Sequence, residues 1–147
     1  MGAGAAAPVE DAVDCGRLMF TLMHVSQSLE DKLEAGLGRS GLSLAKYGVL
    51  AELVKASEPL SLSELASRLS CVRSNMTQLI DRLEADGLVR RVNDPDDRRT
   101  VRAALTTAGR TQEQAGGLEL QAVQAEFAAS LPERDRAQLH RLLGTIG

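Results

Sequence analysis

The sequence is poor in aromatic residues, cysteine and histidine. Among its 147 residues, the sequence has two phenylalanines, Phe20 and Phe127, one tyrosine, Tyr47, and no tryptophan. An aromatic ligand would therefore be held mostly by methionine and aliphatic side chains. Two cysteines far apart and two histidines indicate neither a disulfide framework nor a complete set of metal ligands. We therefore expect no cofactor and no metal site.

The sequence also lacks long apolar runs and a recognisable targeting segment. No run of eighteen apolar residues is available to span a bilayer, and the start MGAGAAAPVE has neither a basic segment nor an apolar core. This pattern predicts a cytoplasmic protein without a membrane partner, with residues 1–10 as a flexible tail. No Ser-His-Asp pattern, phosphate-binding glycine loop or cluster of His and carboxylates is present, which argues against an enzyme.

Positive charge is scarce overall and concentrated in the middle of the chain. The formal net charge of −3 argues at first against a nucleic-acid partner. Residues 61–110, however, hold nine arginines and seven acidic residues, whereas the remainder holds eight basic and thirteen acidic residues. Composition therefore permits nucleic-acid binding by the middle segment without establishing it.

Apolar residues at intervals of three and four predict four helices in the first part of the chain. The first runs from Val13 to about Leu33 and is broken by the glycines that follow, at positions 36, 38 and 41. Ser43 is suited to cap the second helix, and Ser61 with Glu64 forms the capping-box pattern of a short third helix. The fourth and most clearly amphipathic helix is predicted over residues 74–86.

Two more helices are predicted near the end of the chain. Thr106 or Thr107 can cap the fifth helix, although the glycines at 116 and 117 weaken its first half. Ser130 with Glu133 makes another capping-box pattern for the sixth helix, and Pro132 suits its first turn.

Between the fourth and fifth helices the pattern changes to that of a β-hairpin. Residues 88–92 and 100–105 are short enough for strands, the second with alternating apolar positions. Asp94-Pro95-Asp96-Asp97 has the composition of a type I turn between them. The arginines that follow are expected at the exposed end of the hairpin.

The third and fourth helices, joined by a few residues, predict a helix-turn-helix. When the apolar face of the fourth helix is buried, its short polar side chains point outward, where they can contact base edges, and Arg73 can reach phosphate. The candidate contact residues on this helix are Arg73, Ser74, Asn75, Thr77, Gln78 and Arg82. An ordinary solvated helix face explains the same residues equally well.

The hairpin tip favours a contact with DNA. An arginine on a β-turn can enter the minor groove, where phosphates of both strands deepen the negative potential. A carboxylate two residues away can hold the guanidinium in a bidentate pair. We therefore predict that Asp97 braces Arg99, with Arg98 beside them as a further contact. Taken alone, the same pattern is also that of a common surface salt bridge.

Residues 61–109, SLSELASRLSCVRSNMTQLIDRLEADGLVRRVNDPDDRRTVRAALTTAG, resemble the winged helix-turn-helix of the MarR (multiple antibiotic resistance regulator) family. The most specific part is Asp97-Arg98-Arg99, followed by Leu105-Thr106 and Gly109. The stretch LSLAKYGVLAEL is similar to the second helix of the family. In this resemblance Arg99 is the wing arginine and Asp97 supports it.

The resemblance implies a mainly α fold with a small β-hairpin wing. A winged helix-turn-helix at 43–109 would be flanked by dimerisation helices at 11–36 and 110–147. It also implies a homodimer that binds a pseudo-palindromic operator in double-stranded DNA and regulates transcription, as a repressor. A winged-helix module for protein contacts, without DNA affinity, remains the alternative.

Members of this family typically release DNA when they bind a small molecule or when a cysteine is oxidised. The resemblance therefore implies a small-molecule effector or a redox role for Cys71 or Cys15. Cys71 directly precedes the fourth helix, where amide groups and Arg73 would favour the thiolate. A small, buried apolar residue in the turn is the simpler interpretation of Cys71.

Overall fold

The computed structural model describes residues 9–71 and 73–147, with side chains from residue 14 onward except at positions 72 and 73. The predicted class, mainly helical with a small β-hairpin, is confirmed. The elements are α1 (Val9–Gly38), α2 (Leu44–Ala56), β1 (Leu60–Ser61), α3 (Leu62–Arg68), α4 (Arg73–Ala85), β2 (Val89–Asn93), β3 (Val101–Leu105), α5 (Thr107–Ser130) and α6 (Glu133–Leu143). Across these ranges, no helix combines the length and apolarity needed to cross a membrane.

Three predicted helix starts are confirmed by hydrogen bonds at their first turns. The hydroxyl of Ser43 accepts from the backbone N–H of Lys46 at 3.1 Å. Ser61 and Glu64 form the reciprocal capping box, with 3.1 Å between Glu64 N and Ser61 Oγ and 2.8 Å between Ser61 N and Glu64 Oε2. Thr106 is the N-cap of α5. Each cap supplies a partner to an amide that the helix itself leaves unpaired.

Gly36 does not end α1, contrary to the prediction, because the helix continues to Gly38. A Cβ atom placed on Gly36 would lie 2.9 Å from Val123 Cγ2 of α5. The missing side chain thus lets α1 and α5 cross closely. Of the three glycines predicted to break α1, Gly41 is the one with a left-handed backbone, with a φ of 73°.

The glycines at 116 and 117 do not interrupt α5, which is continuous from Thr107 to Ser130. Gly116 is buried, and a Cβ atom there would come within 2.9 Å of Tyr47 Cδ2 and 3.1 Å of Leu42 Cδ1. Close packing against α2 and the preceding loop therefore accounts for Gly116 and offsets its poor helix propensity.

The capping box predicted for α6 is wrong. Ser130 is the last residue of α5, and its hydroxyl donates to the carbonyl of Phe127 at 2.7 Å. Pro132 is the N-cap of α6 and provides no side-chain hydrogen bond. A serine that is still helical bonds backward to its own helix, so it does not reach the first amides of the next one.

The hydrophobic core lies where α2, α3 and α4 meet the sheet. The sheet has the order β1-β3-β2, and both pairings are antiparallel, with Leu60 opposite Ala103 and Val89 opposite Leu105. Among described residues, every buried apolar side chain except Leu37 lies between Leu42 and Ala104. Strand β1, with two residues, was too short for any periodicity to predict.

The helices at the two ends of the chain expose large apolar side chains. No residue of α6 is buried, and α1 and α5 also expose several large apolar side chains. The exposed residues on these helices and just beyond are Leu18, Met19, Phe20, Met23, Val25, Leu118, Phe127, Leu139, Leu142, Leu143 and Ile146. Such a concentration is typical of a surface that another protein chain covers.

Candidate nucleic-acid interface

A compact turn joins α3 to α4. The backbone N–H of Cys71 donates to the carbonyl of Ala66 at 2.9 Å, and that of Ser70 donates to Ser67 at 3.3 Å. Ser70 adopts a left-handed backbone with a φ of 51°. These bonds close the end of α3 and direct the chain into α4 within a few residues, as a helix-turn-helix requires.

Helix α4 buries one face and exposes the face that the sequence analysis predicts to contact DNA. Met76, Ile80 and Leu83 are fully buried. The exposed candidates are Ser74, Asn75, Thr77, Gln78 and Arg82. Arg73 is the first residue of the helix, but its side chain lies outside the described part. The predicted orientation is thus confirmed for the exposed five, and their role in binding stays a prediction.

The end of α4 sets the position of the wing. Gly87 has a φ of 75°, and the backbone N–H of Leu88 donates to the carbonyl of Leu83 at 2.9 Å. Leu88 is buried, which is the hydrophobic contact expected after such a helix end. Strand β2 begins at the next residue, so α4 and the wing are joined by a short, hydrogen-bonded connection.

The Leu105-Thr106 and Gly109 motif fastens the other end of the wing to this connection. The Thr106 hydroxyl donates to the carbonyl of Gly87 at 2.7 Å and accepts from the N–H of Gly109 at 3.0 Å. A Cβ atom at position 109 would lie 2.0 Å from the carbonyl oxygen of Leu88. Only glycine therefore allows α5 to begin against the end of α4.

The hydrogen-bonded turn of the wing lies three residues later than predicted. The backbone N–H of Thr100 donates to the carbonyl of Asp97 at 3.0 Å, which places Arg98 and Arg99 at the two central positions of the turn. Asp94 instead uses its side chain, whose Oδ1 accepts from the N–H of Asp96 at 2.8 Å. Aspartate side chains commonly replace a backbone turn in this way.

Asp97 supports Arg99 through the backbone, so the predicted bidentate pair is wrong. Its Oδ1 accepts from the backbone N–H of Arg99 at 3.0 Å, and its Oδ2 accepts from the Thr100 hydroxyl at 3.2 Å. Both carboxylate oxygens are thus used to shape the tip. The guanidinium of Arg99 is exposed and has no ion pair among described residues.

Arg102 fastens the base of the wing to the start of α3. Its Nε donates to Asp94 Oδ2 at 2.9 Å, and its Nη1 lies 3.3 Å from Glu64 Oε2. The amide of Asp96, followed by this guanidinium, holds the pKa of Asp94 below its usual value. The pKa of Glu64 is likewise lowered, first by the hydrogen bond from the Ser61 amide.

Arg91 joins the wing to α4. Its guanidinium contacts the carboxylates of Asp81 and Glu84 on α4, with 2.9 Å between Nη1 and Glu84 Oε1. The backbone N–H of Arg91 also donates to Glu84 at 2.8 Å. Burial alone would lower the pKa of Arg91, but the hydrogen bonds to the two carboxylates raise it.

The arginines of this surface therefore fall into two groups. Arg91 and Arg102 are partly buried and paired with carboxylates. The exposed group, which has no ion pair within the described ranges, consists of Arg82, Arg90, Arg98 and Arg99. Sequence reasoning missed Arg90, Arg91 and Arg102. The strand period of two could have shown that Arg90 and Arg91 face opposite sides.

The two cysteines occupy different environments. Cys15 is exposed on α1, whereas Cys71 is half-buried, and neither forms a disulfide in the described structure. Cys71 lies at the wall of a cavity of about 540 Å³ between α1, α2 and α4. Its other lining residues are Glu30, Glu34, Leu44, Ala45, Gly48, Leu69, Met76 and Leu79.

Comparison with known proteins connects this geometry to a family. Residues 42–101 match the model of the MarR family. The HTH-type transcriptional regulator PrsX of Escherichia coli is 34% identical over 93 residues, which cover 63% of this chain and 56% of PrsX. The HTH-type transcriptional repressor YetL of Bacillus subtilis is 32% identical over 103 residues, covering 68% of this chain and 62% of YetL. The chain thus spans a little over half the length of these curated relatives.

A solved structure extends the match to almost the whole chain. The crystal structure of a cysteine-to-serine mutant of MarR from Escherichia coli, complexed with operator DNA, superposes with a TM-score of 0.78. The two sequences are 28% identical, and the match covers 92% of this chain and 95% of that one. The family model, the fold and these relatives together show that the chain is similar to transcriptional regulators of the MarR family.

Proposed function

We propose that this chain is a sequence-specific DNA-binding regulator of transcription, acting as a repressor. The observation that carries the proposal is the pair of exposed arginines at the wing tip, Arg98 and Arg99, beside the exposed polar face of α4. An ordinary solvent-exposed helix does not explain why the neighbouring tip has a backbone fixed by Asp97 and guanidinium groups exposed to solvent. Similarity to the regulator PrsX and the repressor YetL supports the same interpretation.

The two parts of the surface suit the two grooves of B-form DNA. The first half of α4 would enter the major groove, where Ser, Thr, Asn and Gln side chains can both donate to and accept from base edges. Arg82, and Arg73 at the start of the helix, would meet phosphates. The wing would extend sideways so that Arg99 enters the minor groove, where the potential is most negative.

A homodimer is part of this proposal. The exposed apolar residues of α1, α5 and α6 offer a surface that a second copy can cover. A two-fold assembly would present two recognition helices to a pseudo-palindromic operator and double the number of basic contacts. The doubling reconciles DNA binding with a chain of net charge −3.

Regulation would come from a small-molecule effector or from oxidation of Cys71. The cavity beside Cys71 is lined by Met76 and Leu79 of the recognition helix. A ligand or an enlarged, oxidised sulfur at this place would push on the buried face of α4 and change its presentation to DNA.

The test uses a duplex selected by the wild-type protein from random fragments. Arg99→Ala should weaken binding to this duplex by at least ~1 kcal/mol, or about fivefold, because a charge-assisted contact is lost. Arg134→Ala, which removes an exposed arginine on α6, should leave the affinity unchanged. Wild-type affinity should fall steeply as salt rises.

Two outcomes would contradict the proposal. Equal affinity of the wild-type protein for selected and random duplexes would favour a protein-interaction module instead. Equal effects of the Arg99 and Arg134 substitutions would remove the wing tip from the binding surface.

A further inference from the structure

The recognition helix carries negative charge on its solvent side. Asp81 and Glu84 are exposed, and Asp81 follows the candidate base contact Gln78 by three residues. Carboxylates so close to a phosphate backbone would oppose binding unless a positive group neutralises them. Arg82 of the same helix forms no ion pair with Asp81 or Glu84 in the described structure. The neutralising group must therefore come from another element.

Arg91 is that group. From β2, its guanidinium reaches both carboxylates at once, with one terminal nitrogen on Asp81 and the other on Glu84. Its own backbone N–H holds the second oxygen of Glu84. Side chain and backbone together thus bind two adjacent turns of α4 to the strand that leads into the wing.

We infer that Arg91 is a positioning residue for DNA binding, which rests on the proposed function. Its single positive charge cancels one of the two negative charges of Asp81 and Glu84 where phosphates must approach. It also holds the recognition helix and the wing in one fixed arrangement, so that both can engage their grooves without further ordering. Arginine suits this role because its planar fork bonds two carboxylates simultaneously, whereas lysine offers a single point charge.

The expected consequences separate this role from a contribution to folding. Ion pairs with this degree of exposure contribute little to stability, so Arg91→Gln should fold normally. Its removal nevertheless leaves two uncompensated carboxylates against the DNA. The loss should therefore appear in binding, and it should shrink as salt screens the repulsion.

The experiment compares four variants on the selected duplex. Arg91→Gln should weaken binding by roughly tenfold at low salt, and Arg91→Lys should fall between it and the wild type. Asp81→Asn alone should bind at least as well as the wild type. Combining Arg91→Gln with Asp81→Asn and Glu84→Gln should restore most of the lost affinity. A loss that the two neutralising substitutions fail to restore would overturn the charge-cancelling role.

A second measurement tests the fixed arrangement in the free protein. Hydrogen exchange of the amides in β2 and in the last turns of α4 should be faster in Arg91→Gln than in the wild type, while the amides of α2 should be unchanged. Unchanged exchange in β2 would overturn the link between helix and wing. A wild-type chain that bound no duplex would overturn the proposed function and the charge-cancelling role, and the exchange data would still decide the link.

Discussion

The two parts of the molecule differ in how far they bury large apolar side chains. These parts are the central region, residues 42–109, and the terminal helices α1, α5 and α6. The central region buries its large side chains, as Leu50, Leu65 and Ile80 illustrate. The terminal helices leave comparable side chains such as Phe20 and Leu142 in contact with solvent. Among the residues of the central region that the structure describes, Val101 is the one exposed large apolar residue, with 36% of its surface accessible.

The difference indicates which part of the chain depends on a partner. A region that buries its own apolar surface gains its stability from contacts within one chain. Helices that expose theirs gain stability when another surface removes it from water. The recognition helix and the wing lie in the self-contained region, so the proposed dimer would decide how two DNA-binding units are spaced, and not whether each unit folds.

The largest predicted effect is the loss of stability when a buried leucine is replaced, with an exposed leucine as the comparison. Leu50→Ala, at a position with 0% exposure, should lower the free energy of unfolding by about 2–5 kcal/mol because it leaves a cavity. Leu142→Ala, at a position with 48% exposure, should leave the unfolding of the isolated chain nearly unchanged. It should instead raise the concentration at which the dimer dissociates.

Denaturant unfolding and sedimentation at several protein concentrations measure both quantities. Equal losses of unfolding free energy in the two variants would break the distinction between the regions. Dissociation unaffected by Leu142→Ala would place the dimer contact elsewhere.

A smaller effect is predicted where a terminal helix packs against the central region. Gly116→Ala should lower the free energy of unfolding by about 1–3 kcal/mol, because the new Cβ would meet Tyr47 at 2.9 Å and Leu42 at 3.1 Å. Gly117→Ala is the matched control. Its Cβ would have the Tyr47 hydroxyl at 3.5 Å as its near neighbour, so better helix propensity should make it neutral or stabilising by up to ~1 kcal/mol. Thermal unfolding of both variants checks the order, and a destabilised Gly117→Ala would contradict it.

The sequence predicted the features that depend on neighbours along the chain. The caps at Ser43, Ser61 and Thr106 each involve residues no more than three positions apart, so their patterns are visible without a fold. The buried face of α4 and the two wing strands follow from regular periods. These features also locate the candidate DNA surface. The resemblance to the MarR family added the expectation that the terminal helices form a dimer, which stays a prediction.

The sequence could not reveal choices made between distant segments. Gly36 and Gly116 looked like helix breakers because the side chains they accommodate are far away in the sequence. Asp97 was given the wrong partner atom on Arg99, since a carboxylate two residues away can reach either the side chain or the amide. The roles of Arg91 and Arg102 were missed because the carboxylates that they contact lie on other elements of the fold.

The smallest predicted effect is a pH dependence of the wing at the Asp94–Arg102 ion pair, which the apolar core of the central region should not show. The pKa of Asp94 is lowered by the Asp96 amide and then by Arg102. A carboxyl whose folded-state pKa lies below its unfolded value of about 3.9 stabilises the fold at higher pH. That contribution is lost as the pH falls from about 5 through the folded-state pKa. The protection of wing amides, after correction for the intrinsic pH dependence of exchange, should therefore fall in mild acid before that of α2, and Asp94→Asn should abolish most of this change. Asp96→Asn is the control, because its carboxylate has no partner in the described structure, and an equal effect of both substitutions would remove the special role of Asp94.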